Sequence, residues 1–156
     1  LITGGTGFIG EFIVGKLLDS GYKIITISKT SKSNLPNSYH YKCDLCDYDK
    51  LEEIFARNNI NLVIHLAGSK GIGASNKSPL EFYNNNITST INILKLIKKY
   101  DIKSLIFASS AAIYGNIDEE IISEDLEPKP SNPYGKSKLF SEEIIKDFKL
   151  VNPDFN

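Results

Sequence analysis

A glycine-rich segment near the start of the chain, Thr3-Gly4-Gly5-Thr6-Gly7-Phe8-Ile9-Gly10, lies between a short apolar strand and the first helical pattern. Glycine at such a junction permits a tight turn, a close approach of phosphate to the backbone, and packing of the helix on the strand. Gly5, Gly7 and Gly10 fit the spacing G-x-G-x-x-G, whereas Gly4, Gly7 and Gly10 fit the wider G-x-x-G-x-x-G. Either spacing predicts a loop that holds a dinucleotide pyrophosphate at a helix N-terminus, with a loop kept for packing alone as the alternative.

Strand patterns alternate with helical patterns along the rest of the chain. Strands are predicted at the first residues and at residues 23–28, 39–43, 61–66 and 103–109. Helices are predicted at residues 8–20, 47–58, 79–100 and 133–148. This order predicts an α/β fold, a Rossmann-type doubly wound parallel sheet with helices on both faces. We expect residues 1–156 to form one dinucleotide-binding domain.

Charge and hydropathy narrow the range of partners. The formal net charge is -1, with Lys and Asp/Glu interspersed, so we expect no binding to nucleic acid. No apolar run approaches the roughly 20 residues that span a bilayer, so we expect no membrane partner and a soluble, cytoplasmic protein. The chain has no initiating Met and stops in a polar turn where an alternating fold would continue with a strand, which predicts truncation at both ends.

The cysteines and histidines give weak signals of chemistry. Cys43 and Cys46 form a C-x-x-C without the second pair of ligands that a structural zinc requires, so we interpret them as reduced thiols and expect no metal site. His65 lies in the apolar run 62–66, where a buried, hydrogen-bonded imidazole is more common than a ligand or a base.

The end of the second strand bears on the choice between NAD and NADP. An acidic residue there normally receives the adenosine ribose hydroxyls, but this chain has Ser28, followed by Lys29 and Lys32. A basic loop suits a 2′-phosphate as well as solvent. The residues alone therefore leave both cofactors open.

A candidate catalytic pair is Tyr134 and Lys138, whose spacing places the phenol and the ammonium one helical turn apart on the same face. Forming a phenolate at pH 7 from a tyrosine costs about 4 kcal/mol. A lysine cation and a helix N-terminus, for which Pro133 suits the first position, both favour the phenolate. Ser110 follows the carboxyl end of a predicted strand, where open α/β sheets place active sites. A solvated helix face is the alternative for the Tyr–Lys pair taken alone.

With these segments the sequence resembles the UDP-glucose 4-epimerases of the extended short-chain dehydrogenase/reductase group, the NAD-dependent epimerase/dehydratase family. The resemblance runs through the glycine loop, the Ser109-Ser110 strand end, and residues 65–70, 79–86 and 131–138. It implies NAD as cofactor, bound by Gly4, Gly7, Phe8, Ile9, Gly10, Ser28, Asp44, Leu45, Leu66, Ala67, Gly68, Lys70, Asn86, Tyr134 and Lys138. A surface turn would explain Asp44 equally well.

The resemblance implies a nucleotide-sugar 4-epimerase that oxidises C4 transiently. Tyr134 would take the proton of the sugar 4-hydroxyl while hydride moves to tightly bound NAD, and Ser110 would help to hold the sugar. Ser28 replaces the usual acid and leaves NADP possible, and Ala112 replaces a frequent hydroxyl residue and leaves the sugar open. An NADP-dependent sugar-nucleotide or aldehyde reductase and a non-catalytic dinucleotide sensor are the alternatives.

The resemblance also has implications for assembly. It implies a homodimer through the helix of Asn86 and the helix of Tyr134. It further implies a C-terminal substrate lobe that this chain lacks.

Overall fold

The computed structural model describes residues 1–30, 38–117 and 121–156. Its strands are β1 (Ile2–Thr3), β2 (Ile25–Ser28), β3 (Tyr39–Lys42), β4 (Val63–His65) and β5 (Leu105–Phe107). They form one parallel sheet in the order β3-β2-β1-β4-β5. The chain steps outward from β1 to β3 and then returns to the other side of β1, so a topological switch point lies between β1 and β4. The predicted Rossmann-type doubly wound sheet is confirmed.

The helices fill the connections and the faces of the sheet. The α-helices are α1 (Phe8–Asp19), α2 (Tyr48–Ala56), α3 (Ile72–Lys77), α4 (Pro79–Tyr83), α5 (Ser89–Lys99) and α6 (Pro133–Leu150). A π-helical turn spans Asn84–Thr88, and a 3₁₀ helix spans Ala111–Tyr114. Within the described ranges, no helix combines the length and the apolar character needed to cross a membrane.

Two departures from the sequence pattern occur near the site. The helix predicted at residues 79–100 is divided into α4, the π turn and α5. At the π turn the carbonyl oxygen of Asn86 accepts hydrogen bonds from the hydroxyls of Ser89 (3.1 Å), Thr90 (2.8 Å) and Ser141 (3.5 Å). The sequence patterns also do not predict α3 or the 3₁₀ helix, because both are too short to show apolar periodicity. In the basic loop that follows Ser28, residues 31–37, including Lys32, lie outside the described residues.

The core has two parts, one on each face of the sheet. The larger part packs α2, α5 and α6 on one face, with fully buried side chains at Ile27, Leu51, Phe55, Val63, Ile93, Leu96 and Ile97. The smaller part lies under α1 and contains Ile2, Val14, Ile24 and Ile64. Val63 and Ile64 are neighbours in β4 and enter different clusters, because successive side chains of a strand point to opposite faces. Helices therefore cover both faces, as predicted.

Two glycines of α1 provide a test of this packing. A Cβ atom at Gly10 would lie 2.3 Å from the carbonyl oxygen of Gly4, whereas nothing lies within 4 Å of a Cβ atom at Gly15. We expect Gly10→Ala to lower the free energy of unfolding by about 1–3 kcal/mol, because the backbone must shift. Gly15→Ala should instead raise it by up to about 1 kcal/mol, because alanine favours a helix. Urea unfolding of the full-length protein that contains this chain measures both, and equal effects would contradict the close packing at Gly10.

Candidate active site

A cleft of about 540 Å³ opens at the carboxyl edge of the sheet. Its wall is formed by the glycine loop after β1, the ends of β2 and β3, the loop after β4, the end of β5, and the first turns of α6. Most predicted site residues line it, namely Gly4, Gly7, Phe8, Ile9, Gly10, Ser28, Asp44, Leu45, Leu66, Ala67, Gly68, Lys70, Tyr134 and Lys138. In open α/β sheets, this edge at the switch point is where ligands bind.

The positions of the glycines in the loop show which of the two predicted glycine spacings borders the cleft. Gly4, Gly7 and Gly10 all border the cleft. Gly4 has φ +69°, and a Cβ atom there would lie 2.9 Å from the nitrogen of Ala67. Gly5 instead faces the sheet, because its Cβ atom would lie 2.7 Å from Cγ2 of Thr26. The wider spacing is therefore the one whose glycines all meet the cleft.

The N-terminus of α1 is open to the cleft. Gly7 is the N-cap residue of α1 and has no side chain with which to cap the first N–H groups. Phe8 and Ile9, the first two residues of the helix, are exposed and line the cleft. Unpaired N–H groups at a helix N-terminus attract anions. This part of the cleft therefore fits a pyrophosphate.

The far end of the cleft carries the sequence-predicted polar residues of β2 and β3. The hydroxyl of Ser28 donates to the carbonyl oxygen of Thr30 at 3.0 Å, and the Lys29 ammonium lies 3.0 Å from the Asp44 carboxylate. Partial burial opposes ionisation of Asp44, but the N–H of Cys46 and the Lys29 ammonium outweigh it and lower the pKa of Asp44. Asp44 is the one acid among the described residues that line the cleft. Three lysines, Lys29, Lys70 and Lys138, line the same cleft, and this excess of positive charge suits an anionic ligand.

Leu45 is held in place from behind the cleft. Its carbonyl oxygen accepts a hydrogen bond of 2.9 Å from the buried Asn92 side chain of α5. The segment after β3 is thus fixed to the helical layer rather than free at its end. Cys43 and Cys46, on either side of it, are both free thiols. Burial raises the pKa of Cys43 to about 11, which disfavours the thiolate that metal binding or thiol exchange requires.

Asn86 lies behind the wall and does not line the cleft. Its amide oxygen accepts the N–H of Ser69 at 2.7 Å, and its amide nitrogen donates to the carbonyl oxygen of Ser69 (3.1 Å) and to the hydroxyl of Ser137 (2.8 Å). A Cβ atom at Gly68 would lie 3.0 Å from the Asn86 amide oxygen. In this structure Asn86 joins the loop after β4 to α6.

Tyr134 lies in the first turn of α6, as predicted. The side chain of Asn132 caps this helix by accepting the N–H of Gly135 at 2.9 Å, and Pro133 takes the first helical position. The Tyr134 ring meets the Phe82 ring edge-on, with the centroids 6.4 Å apart. Its hydroxyl makes no hydrogen bond to any residue in the described part of the chain, so the phenol is available to a ligand in the cleft.

Lys138 lies one turn further along α6 and is only 5% exposed. Its ammonium donates to the carbonyl oxygen of Ala108 at 2.8 Å and lies 4.7 Å from the centroid of the Phe107 ring. Burial lowers the pKa of Lys138 to about 8, and the negative charge of Glu142 opposes that shift. The ammonium form therefore still predominates at neutral pH.

The two serines after β5 have different positions. Ser110 is absent from the lining of the cleft, and its hydroxyl accepts the N–H of Ala112 at 3.2 Å, which caps the 3₁₀ helix. Ser109 lines the cleft and donates a hydrogen bond to the Glu142 carboxylate. The sequence analysis names Ser109 only as part of the Ser109-Ser110 strand end and not as a site residue, and it does not name Glu142. Glu142 follows Lys138 by the same four-residue spacing that identifies Tyr134, and this signal would have found it.

His65 is a structural residue beneath the site. It is 1% exposed, its Nδ1 lies 2.7 Å from the Thr3 hydroxyl, and its Nε2 lies 3.4 Å from the Thr90 hydroxyl. Burial, followed by the positive charge of Lys138, lowers the pKa of His65 to about 3. The predicted buried, hydrogen-bonded imidazole is confirmed.

The sheet order, the glycine loop at the start of α1 and the cleft at the switch point define a domain of the Rossmann class. The model of the NAD dependent epimerase/dehydratase family matches residues 1–151, and the chain belongs to this family.

Relatives with known names agree with this assignment. The chain is 38% identical to a UDP-glucose 4-epimerase of Dictyostelium discoideum, over all of this chain and 48% of the relative. It is similar to the crystal structure of UDP-glucose 4-epimerase from Bifidobacterium longum in complex with NAD+ and UDP, with a TM-score of 0.92 and 38% identity over 99% of this chain and 50% of that one. The UDP-Glc/GlcNAc 4-epimerase from Campylobacter jejuni gives a TM-score of 0.93 at 30% identity, with 99% and 50% covered. The chain thus spans about half the length of the relatives it matches.

The pH dependence of stability provides a test of the buried imidazole. The unfolded chain takes up a proton at His65 near pH 6.5, whereas the folded protein does so only near pH 3, so the unfolded state binds more protons between these values. Stability should therefore fall with decreasing pH below about 6.5, by up to roughly 1.4 kcal/mol per pH unit from this residue. Urea unfolding of the full-length protein between about pH 7 and pH 5 should show a smaller loss for His65→Gln than for the unchanged protein. Identical pH slopes would mean that His65 is not held neutral.

Proposed function

We propose that the protein containing this chain is a nucleotide-sugar 4-epimerase of the UDP-glucose/UDP-galactose type, acting through tightly bound NAD. The observation that carries the proposal is the placement of Tyr134 and Lys138 on the wall of the same cleft that the open N-terminus of α1 borders. The names of the relatives support the choice of reaction. These names favour an epimerase over a reductase on the same scaffold.

The residues of the cleft fit the cofactor in a definite order. The N–H groups at the start of α1, beside Phe8 and Ile9, would bind the pyrophosphate. The adenosine would lie toward Ser28, Asp44 and Leu45. The nicotinamide ribose would lie toward Lys138, in the part of the cleft lined by Leu66, Ala67, Gly68, Lys70 and Tyr134. Asn86 would contribute to this part of the cleft from behind its wall, by holding the loop that contains Ser69 through two hydrogen bonds.

NAD is supported over NADP by two observations. Solved relatives from Bifidobacterium longum and Thermus thermophilus were obtained with NAD+ and NAD respectively. In this chain the Lys29 ammonium, the described cation nearest to Ser28 in sequence, already lies against Asp44. A 2′-phosphate would have to compete with that carboxylate for Lys29.

In the proposed mechanism, Tyr134 accepts the proton of the sugar 4-hydroxyl. The bound nicotinamide would supply the hydride chemistry at C4. The Lys138 ammonium and the N-terminal end of α6 both stabilise the Tyr134 phenolate, because they place positive charge beside it. Tyr134 would return the proton to the sugar oxygen when C4 is reduced again, and because the same bound cofactor would supply that reduction, no net redox change would result. A substrate lobe outside this chain would supply the remaining contacts to the nucleotide sugar, in line with the greater length of the relatives.

Tyr134→Phe tests the base directly. We expect the full-length protein, incubated with UDP-galactose and no added cofactor or reductant, to form UDP-glucose, as followed by NMR of the anomeric protons. Removal of the hydroxyl should lower kcat by roughly 10²- to 10⁴-fold, because it removes the proposed general base. The protein denatured after purification should release NAD, identified by mass spectrometry.

Tyr22→Phe is the matched control for that experiment. Tyr22 is 62% exposed and follows α1 at the end remote from the glycine loop, so this variant should retain full activity. Epimerase activity that survives in Tyr134→Phe would rule out Tyr134 as the base. If the protein without substitutions, given reduced cofactor in a separate assay, consumes it stoichiometrically, the protein would instead be a reductase.

The proposal includes a homodimer formed through the helical segment that contains Asn86, from α4 through the π turn to α5, together with α6 and their symmetry mates. Leu80 of α4 is 81% exposed, and Phe140 of α6 is 49% exposed and pairs with the Tyr83 ring, with the centroids 6.3 Å apart. Apolar side chains left in contact with water on adjacent helices are typical of an interface between subunits.

Leu80→Asp tests this interface. A carboxylate in the centre of an apolar contact should weaken the dimer by roughly tenfold or more, as measured by light scattering across a dilution series of the full-length protein. Leu150→Asp is the control, because Leu150 is equally exposed but lies at the last position of α6. If both variants remain as dimeric as the unchanged protein, the contact surface lies elsewhere.

A further inference from the structure

A third polar residue shares the face of α6 that carries the proposed catalytic pair. Tyr134, Lys138 and Glu142 follow one another at four-residue intervals, which places them on one side of the helix. The end of β5 binds two of them through consecutive residues. The carbonyl oxygen of Ala108 accepts a hydrogen bond from Lys138, and the hydroxyl of Ser109 donates one to Glu142. The strand end thus fixes both the cation and the carboxylate of α6.

The charges around Lys138 come from several elements. His65 of β4 is neutral at physiological pH. Lys70, in the loop after β4, lines the same cleft and adds positive charge. On α6 itself, Tyr134 precedes Lys138 by one turn and Glu142 follows it by one turn. Glu142 is therefore the carboxylate that faces this buried ammonium among the described residues, and its charge acts against the effect of burial.

Glu142 has neighbours of its own. Lys146 lies one turn beyond it on α6, but its ammonium pairs with Glu143 at 2.7 Å. Ser109 holds the Glu142 carboxylate from the side of the strand. Lys138 and Glu142 do not form a direct ion pair within the described structure. Glu142 therefore influences Lys138 through its charge, at a distance of one helical turn, and not through a contact that fixes the ammonium.

We propose that Glu142 is a positioning residue for the Tyr134–Lys138 pair, whose carboxylate, oriented by Ser109, supplies a counter-charge that favours the ammonium form of Lys138 beside Tyr134. This inference rests on the proposed function for its consequence in catalysis. The electrostatic part stands without it, because the charge of Lys138 is a property of the protein whatever the substrate. A neutral lysine would withdraw the positive charge that favours the phenolate.

The variant Glu142→Gln distinguishes an effect of the Glu142 charge from an effect of its hydrogen bond to Ser109. The glutamine amide keeps an oxygen that accepts the Ser109 hydrogen bond, so a purely structural role of Glu142 would survive the change. Loss of the negative charge should lower the pKa of Lys138 by roughly 0.5 to 1 pH unit. Glu143→Gln removes the same charge from the next position, on an exposed side of the helix, and should leave the pKa of Lys138 unchanged.

The pKa of Lys138 can be measured without reference to activity. Competitive acetylation of the full-length protein over a range of pH, with the Lys138 peptide quantified by mass spectrometry, reports the deprotonated fraction of that one side chain. A downward shift in Glu142→Gln alone is the expected result. No shift in Glu142→Gln, or the same shift in Glu143→Gln, would overturn the proposal.

The pH profile of epimerase activity gives the second measurement. Since the ammonium form is the active one, the fall of kcat on the alkaline side should move to lower pH by the same amount in Glu142→Gln. An unchanged profile together with a shifted pKa would overturn the catalytic part of the inference. Absence of epimerase activity in the protein without substitutions would refute the proposed function. The acetylation result would then decide the role of Glu142 by itself.

Discussion

All five strands of the sheet run parallel, and this constraint governs where chemistry can occur. Parallel strands bring their carboxyl ends to one edge, so the glycine loop after β1, Ser28 at the end of β2 and Asp44 after β3 meet there although they are far apart in sequence. β1 has only two residues, yet it pairs with both β2 and β4. The glycine loop leaves the sheet from this central strand. A shift of β1 by one residue would exchange its faces and move the loop away from the cleft.

Behind the wall of the cleft, the structure depends on buried polar side chains that hydrogen-bond to one another. Thr3 links β1 to His65 of β4, Thr90 links His65 to the carbonyl oxygen of Asn86, and the side chain of Asn86 links the Ser69 loop to Ser137. Every fully buried side-chain nitrogen or oxygen among the described residues has a hydrogen-bond partner. Such satisfied networks are rigid, because breaking one bond leaves a buried group unpaired. The helix of Tyr134 and Lys138 is thereby tied to the sheet by specific bonds as well as by apolar contact.

Much of this arrangement is predictable from the sequence, and the exceptions have physical causes. Apolar runs and glycine spacing predict the sheet, and the four-residue spacing of Tyr134 and Lys138 predicts their shared position on the cleft wall. Ser109 lines the cleft and Ser110 caps the 3₁₀ helix, a difference that the sequence does not show, because the backbone after the strand decides which side each of two adjacent serines faces; the role of Ser110 toward the sugar stays a prediction. Apolar periodicity does not predict the π turn at Asn86. There the Asn86 carbonyl oxygen accepts hydrogen bonds from the hydroxyls of residues 89, 90 and 141, which are polar groups that this pattern does not register.

The position of Glu142 shows how a buried lysine can keep its charge and still serve a neighbouring phenol. A carboxylate in direct contact with Lys138 would raise its pKa further, but it would also take up N–H donors and compete with the Tyr134 phenolate for the same cation. Ser109 holds the carboxylate one turn away, and Lys138 is instead contacted by a neutral carbonyl and by the face of the Phe107 ring. In the proposed mechanism the phenolate is then the anion closest to the ammonium. A pKa near 8 for Lys138 is the result of this balance between burial and a distant counter-charge.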